Sequence, residues 1–252
     1  MKFEEIHKLV GNAPYISKEN ARYLYDLVIE QRLTNILELG IAHGTATCYM
    51  AAALHELGRG SVTAVDLLET KETFKPTAEE QLAKTGFTKF ASIVRMQTGY
   101  TWFLHNEIVK HTRDDICHEV YDLCVIDGPK NWTIDGAAFF FVDKLLKKDG
   151  WIIFDDYYWT YADANARRNS TDGITHRSLS EEEQNIPHIK EVFELLVKQH
   201  PNYGKLVVLP ETDWALAQKT MSPNKTYTIA SRETAKSIIA KMINKLYRKF
   251  KR

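Results

Sequence analysis

The chain has 252 residues, 44% hydrophobic and 26% charged, enough for one large globular domain with a substantial core and no need of a second. Lys plus Arg equals Asp plus Glu at 33 each, so the molecule as a whole has no electrostatic bias toward nucleic acid. Cys48, Cys117 and Cys124 form no CxxC pair and are odd in number, which argues against a disulfide framework or a cysteine zinc site and fits a reducing cytoplasm.

In chain order, the charged N-terminus lacks the apolar core of a signal peptide, and no window approaches about 20 uninterrupted apolar residues, so a soluble protein is expected. Residues 1–34 read as a helical entry segment. Ser17 can cap a helix over 18–32 whose Ala21, Leu24, Tyr25, Val28 and Ile29 share one face. Residues 35–47 then read as a strand, a turn containing Gly40 and Gly44, and a helix start. The glycines let the backbone turn sharply against a ligand, and the free N–H groups of the next helix point into the same space. A helix over 45–57 leads into a strand over 61–66 that ends on Asp66, where a doubly wound sheet places an acid for a ribose diol. A helix from Pro76 to a stop at Gly86 and a strand over 91–96 follow. The loop Gly99-Tyr100-Thr101-Trp102 opens the next helix, with aromatics placed either to flank an adenine ring or to enter the core.

Two apolar runs ending on acids come next, Leu123 to Asp127 and Trp151 to Asp155-Asp156. They bracket a helix over 134–148, whose Ala137, Ala138, Phe141, Val142, Leu145 and Leu146 face the sheet, with Lys147-Lys148 at its end and Gly150 as its stop. This reads as a βαβ unit, and with its strands side by side their carboxyl ends would sit about 5 Å apart, so that the three aspartates converge on one spot. A solvated turn with Lys130 as a surface cation is the plainer reading of the same residues.

LELGIAHGTATCYMA, SVTAVDLLE, VYDLCVIDGPKNW and GWIIFDDYYW, in that order, resemble the class I S-adenosylmethionine-dependent methyltransferases, and more narrowly the metal-dependent O-methyltransferases that act on catechols, caffeoyl-CoA and macrocin-type sugars. The resemblance covers residues 35–160 well. It implies that Glu38, Gly40 and Gly44 surround the methionine portion of the cofactor, Asp66 its ribose, and Gly99, Tyr100 and Trp102 the region of its adenine. It implies a metal, Mg²⁺ or similar, on Asp127, Asp155 and Asp156, with Lys130 and Asp127 as the catalytic pair. Asp156 matches the sugar-methylating branch and Lys130 the catechol branch, so the acceptor is expected to be a saccharide or a phenolic small molecule. Chemically, a hard cation prefers oxygen ligands and acidifies a bound hydroxyl. Lys130 would then act as base if its pKa fell toward about 7–8.

From 157 to 187 the composition turns polar behind a cluster of Tyr157, Tyr158, Trp159 and Tyr161, a segment placed to act as a lid. Arg167, Arg168, His176 and Arg177 could meet an anionic group or stay solvated. A helix over 187–199 and strands over 205–209 and 214–218 follow. About seven strands alternating with helices make an α/β doubly wound, Rossmann-like, mostly parallel sheet, which the family resemblance completes with a terminal antiparallel hairpin. Residues 1–220 form that domain and 221–252 a tail. Within the tail, 233–252 carry seven Lys or Arg and one Glu with an apolar stripe at helical spacing. Such a helix can lie on an anionic membrane surface at the inner face, or dock on its own domain or a second subunit of a homo-oligomer. An NAD-dependent oxidoreductase would share the glycine turn and ribose acid, but the GxGxxG spacing is missing. A non-catalytic, membrane-recruited cofactor-binding protein is the third reading, and the intact Asp127, Lys130, Asp155 and Asp156 count against it.

Overall fold

The apolar runs ending on acids do become strands. The computed structural model describes residues 2–163 and 178–222. In chain order they form α1 (Phe3–Val10), α2 (Lys18–Glu30), β1 (Asn35–Leu39), α3 (Thr45–Leu57), β2 (Ser61–Leu67), α4 (Thr70–Thr73), α5 (Ala78–Thr85), β3 (Ala91–Met96) and α6 (Tyr100–His111). A small ribbon of β4 (Thr112–Arg113) and β5 (Ile116–Cys117) leads to β6 (Tyr121–Ile126), α7 (Trp132–Leu145) and β7 (Leu146–Phe154). After a 3-10 turn at Tyr161–Asp163 come α8 (Glu181–Asn185), α9 (His188–Glu191) with a π-helical continuation over Val192–Val197, β8 (Tyr203–Leu209) and β9 (Trp214–Lys219).

Seven strands make one sheet in the order β3-β2-β1-β6-β7-β9-β8. β3, β2, β1, β6 and β7 pair in parallel, while β9 is antiparallel to both β7 and β8. This is the doubly wound sheet with a terminal hairpin expected from the sequence. Ile36 to Leu39 are buried throughout, as a strand covered on both faces requires. One face carries a core of Phe3, Leu24, Tyr49, Met50 and Leu82 from α1, α2, α3 and α5. The other carries Leu104, Phe139, Val142 and Phe193 from α6, α7 and the π segment.

The register sets the site. Leu39 pairs with both Val65 and Ile126, Ile126 pairs with Phe154, and Phe154 with Ala215. One step beyond those rungs lie Asp66, Gly40, Asp127, Asp155 and Trp214, which therefore form a row across the ends of five strands.

Several boundaries differ from expectation. α5 begins at Ala78, not Pro76, because Thr77 takes the cap: its side chain accepts from Glu80 N at 3.2 Å while the Glu80 carboxylate accepts from Thr77 N at 2.7 Å. Ser17 caps α2 as expected, accepting from Asn20 N. α7 ends at Leu145, so Lys147, Lys148 and Gly150 lie in β7 and not at a helix terminus. Pairing decides this: Lys147 donates to Asp122 at 2.8 Å, and a Cβ on Gly150 would stand 3.0 Å from the Asp122 carbonyl oxygen. Tyr157 and Tyr161 are buried, Tyr157 donating to Glu194 at 3.0 Å and Tyr161 to the Pro129 carbonyl at 2.9 Å, so the start of the anticipated lid is part of the framework. Arg167, Arg168, His176, Arg177 and the tail over 233–252 lie outside the described residues. Among the described residues no helix is long and apolar enough to cross a membrane.

Asp122 fixes the start of the central strands. Its Oδ2 accepts from Thr34 N, Thr34 Oγ1 and Asn35 N at 2.8–2.9 Å, and its Oδ1 from Lys147. Burial would raise its pKa, but the hydrogen bonds from Lys147, Asn35 and Thr34 outweigh it and hold the carboxyl below its ordinary value. Its stabilisation is thus present above the unfolded-state pKa and lost as the pH falls through the folded one. Asp122→Ala should cost about 2 kcal/mol at pH 7 by urea denaturation. The gap from the parent should narrow below about pH 4.

Candidate active site

The turn after β1 explains the spacing of its glycines. Gly40 has φ +87°, and a Cβ there would fall 2.1 Å from the Asp127 carbonyl oxygen, so the exits of β1 and β6 touch only because position 40 has no side chain. Gly44 has φ +70°, and a Cβ on it would meet that of Ala78 at 2.5 Å. Gly44 therefore seats α3 against α5.

Asp66 closes the turn from the neighbouring strand. Its Oδ2 accepts from the N–H groups of Ile41 and Ala42, each at 3.0 Å, and its Oδ1 accepts from Leu67 N at 2.7 Å. A carboxylate offers about four acceptor positions, so capacity remains for a ligand.

These elements border a cavity of about 1090 Å³. Gly40, Asp66, Gly99, Tyr100, Asp127, Lys130, Asp155 and Asp156 line it together, with Ile134, Ala137 and Phe141 of α7 as an apolar wall. Glu38 instead lines a small adjoining void of about 30 Å³ that shares Ile41, Ala42, Asp127 and Asp155 with the cavity. Burial pushes the Glu38 carboxyl up to about 8 while the Thr47 hydroxyl donates to it. Trp102 is not brought to the cavity. α6 turns Tyr100, Phe103 and Leu104 inward, leaving Trp102 half exposed and stacked on His105 at 4.3 Å.

The aspartates converge on Lys130. This residue is 4% exposed, and its ammonium pairs with Asp127, with Asp155 Oδ2 at 3.2 Å and with Asp156 Oδ2 at 3.3 Å. Trp214 Nε1 donates to the other oxygen of Asp155 at 2.6 Å. Burial works to lower the lysine pKa, yet Asp127, Asp155 and Asp156 together raise it well above the ordinary value. In this arrangement the three carboxylates hold Lys130 as a cation, the opposite direction to the lowered pKa that a base would need. Asp127 is raised by burial and by the charge of Asp155; Asp155 is held low by Lys130, Asp127 and Trp214 in spite of its burial.

Among the described residues no three His, Cys, Asp or Glu side chains stand as a metal-holding group, and the lysine ammonium takes the point on which the aspartates meet. The donor chemistry still fits a hard divalent cation, since all three side chains offer oxygen. Formally, three carboxylates against one ammonium leave an excess of negative charge for such an ion.

The sequence did not reveal what holds this cluster. Asp135, fully buried in the first turn of α7, accepts from the Tyr100 hydroxyl and from Asn131 N at 2.6 Å. A Cβ on Gly128 would collide with that Tyr100 hydroxyl. Tyr15 lines the cavity and stacks on His43 at 5.7 Å, against Phe74. No local pattern marks these residues, because their partners are distant in the chain.

Residues 37–157 match the model of a family described as a methyltransferase domain. No curated protein matches the sequence. Solved structures share the fold. A Staphylococcus aureus protein provisionally assigned as a caffeoyl-CoA O-methyltransferase is 21% identical with a TM-score of 0.61, over 87% of this chain and 92% of its own. The O-methyltransferase TomG of Streptomyces achromogenes, involved in tomaymycin synthesis and solved with SAM, is 15% identical with a TM-score of 0.57, over 87% and 88%. An O-methyltransferase from Bacillus cereus in complex with SAH is 19% identical with a TM-score of 0.55, over 85% and 88%.

The ion cluster can be tested without any ligand. In EDTA-containing buffer at pH 7, Lys130→Met should cost about 3–5 kcal/mol of stability by urea denaturation, because three carboxylates lose their buried counter-charge. The deficit should narrow as the pH falls and those aspartates take up protons.

Proposed function

We propose, from the premise that residues 37–157 are a methyltransferase domain, that the chain is an enzyme that transfers the methyl group of S-adenosylmethionine to a hydroxyl of a saccharide or phenolic small molecule. The observation that carries this reading is the shared cavity. One cavity is lined both by the glycine turn with Asp66 and by the aspartate–lysine cluster. Donor and acceptor can thus meet within a single space.

Each group then has a task. Gly40 admits the cofactor close to the backbone, Asp66 has acceptor capacity for its ribose diol, and Ile134, Ala137 and Phe141 offer an apolar surface to its base. At the other end, the Lys130 ammonium orients the acceptor oxygen by donating to it and stabilises the negative charge that grows there. Asp127 is the carboxylate placed beside it to accept the hydroxyl proton. Asp127, Asp155 and Asp156 would hold a divalent cation such as Mg²⁺, which when bound supplies acidity to the acceptor hydroxyl. Alignment of nucleophile and methyl donor accounts for much of the rate, a contribution worth about 7–11 kcal/mol in well-oriented systems. The alternative of an NAD-dependent oxidoreductase is disfavoured by the antiparallel β9–β8 hairpin, which the six-stranded parallel dinucleotide-binding sheet lacks. The basic amphipathic pattern of 233–252 supports peripheral contact with an anionic membrane surface, and deleting it should weaken binding to anionic vesicles without changing turnover in solution.

Calorimetry should show S-adenosylmethionine and S-adenosylhomocysteine binding and no response to NAD. Asp155→Ala should lower turnover by about 10²–10³-fold, a loss of the size seen when a charge-stabilising group is removed, while cofactor affinity stays nearly unchanged. Full turnover in excess EDTA would refute the metal part of the reading, and failure to bind S-adenosylhomocysteine would refute the whole.

A further inference from the structure

The opposite edge of the sheet carries a second concavity, of about 500 Å³, which the proposed reaction does not use. It forms where the chain leaves α2 and α3 and where β1, β2, β6 and β7 begin. β1 spans five residues, so this edge stands about 17 Å from the Gly40 turn. Three cations from separate segments line it: Arg32 after α2, Arg59 after α3 and Lys148 in β7. Among the described residues none of the three side chains has an ion pair or a hydrogen bond.

The acids of the lining do not neutralise them. Asp122 is engaged by Thr34, Asn35 and Lys147, and the lysine matches its charge. Asp149 is the other carboxylate of the concavity, so three cations face one unmatched acid. Arg32 stands there at a cost. It takes φ +52° to end α2, its N–H donating to the Ile29 carbonyl while Leu33 N donates to that of Val28. Glycine makes this left-handed helix stop without strain, as Gly58 does for α3 at φ +71°. A cation near a helix C-terminus offsets the helix dipole, which accounts for part of the preference at 32 and 59. It does not account for Lys148, which comes from a strand.

Two guanidiniums and an ammonium around one concavity suit a group with several anionic oxygens, since arginine meets phosphate through paired N–H bonds and lysine as a point charge. A lone carboxylate would leave one of the two excess cations unmatched; a phosphate dianion would match both. We infer that this concavity binds a phosphate or diphosphate group through Arg32, Arg59 and Lys148, at a site separate from the reacting centre. The same group is carried by soluble phosphorylated molecules and by phospholipid headgroups.

Calorimetry on the full chain with inorganic pyrophosphate tests this, in metal-free buffer so that no bound ion draws the probe to the carboxylate cluster. The parent should bind it, and Arg59→Gln should weaken binding by about tenfold. Arg32→Gly should weaken it by as much while keeping the fold, because glycine suits the left-handed backbone, and thermal unfolding checks both variants. Lys8→Gln removes an exposed cation of α1 that does not line the concavity and should leave binding unchanged. No binding by the parent, parent affinity in Arg32→Gly and Arg59→Gln, or an equal loss in Lys8→Gln would overturn the inference. With the loss in Arg59→Gln established, flotation with vesicles of phosphatidic acid in phosphatidylcholine assigns the source. Weaker flotation of that variant than of the parent supports a lipid headgroup, and unchanged flotation supports a soluble phosphorylated ligand.

Discussion

The site depends on one row across the sheet. Because Leu39, Val65, Ile126, Phe154 and Ala215 are in register, the residues one step beyond them, Asp66, Gly40, Asp127, Asp155 and Trp214, stand side by side at the strand ends. A slip of one residue in any of these pairings would turn an alternate set of side chains toward the cavity. At one point of that row the Asp127 carbonyl occupies the place that a Cβ on Gly40 would take. It leaves no space for a side chain and so fixes how near the cofactor turn lies to the acidic cluster.

The row also explains the electrostatics. Parallel strands carry their exits to the same edge, so acids at the ends of β6 and β7 must share a site and repel unless a cation intervenes. Lys130 supplies it from the turn beyond Asp127. The lysine at φ +61° and Asp156 at φ +57° both occupy the left-handed region, an unfavourable conformation for residues with side chains. Surrounding bonds hold that turn. Tyr161 donates to the Pro129 carbonyl, Asp135 accepts from Asn131 N, and the Asn131 side chain caps α7 through Thr133 N and Ile134 N.

Much of this was legible in the sequence because it is local. Apolar runs ending on Asp66, Asp127 and Asp155 mark strand exits, and Gly40 and Gly44 mark a turn. Residues 37–157 accordingly match a methyltransferase-domain model, and the sheet has the fold that the motifs suggested. Other features depend on partners far along the chain. The charge of Lys130 is set by Asp127 three residues before it together with Asp155 and Asp156 some 25 residues on, so no reading of the lysine alone reveals that its pKa rises. Trp102 does not line the cavity because its proximity in sequence to Gly99 says nothing of helix phase: α6 begins at Tyr100, and the third residue of that turn faces out. The hold of Trp214 on Asp155 crosses 59 residues, and only the antiparallel pairing of β9 with β7 creates it.

The N-terminal helices show the same limit from the other side. Their amphipathic faces read as a cover for the core, and they are one, with Phe3, Leu24 and Val28 buried against α3 and its neighbours. That cover also carries Asn20 to the small void that Glu38 lines. A helix that buries apolar residues has no packing reason to bury an amide oxygen without a partner, and the cost of doing so is normally avoided. Within that one side chain the nitrogen is tied to the Thr212 carbonyl while the oxygen has no partner among the described residues.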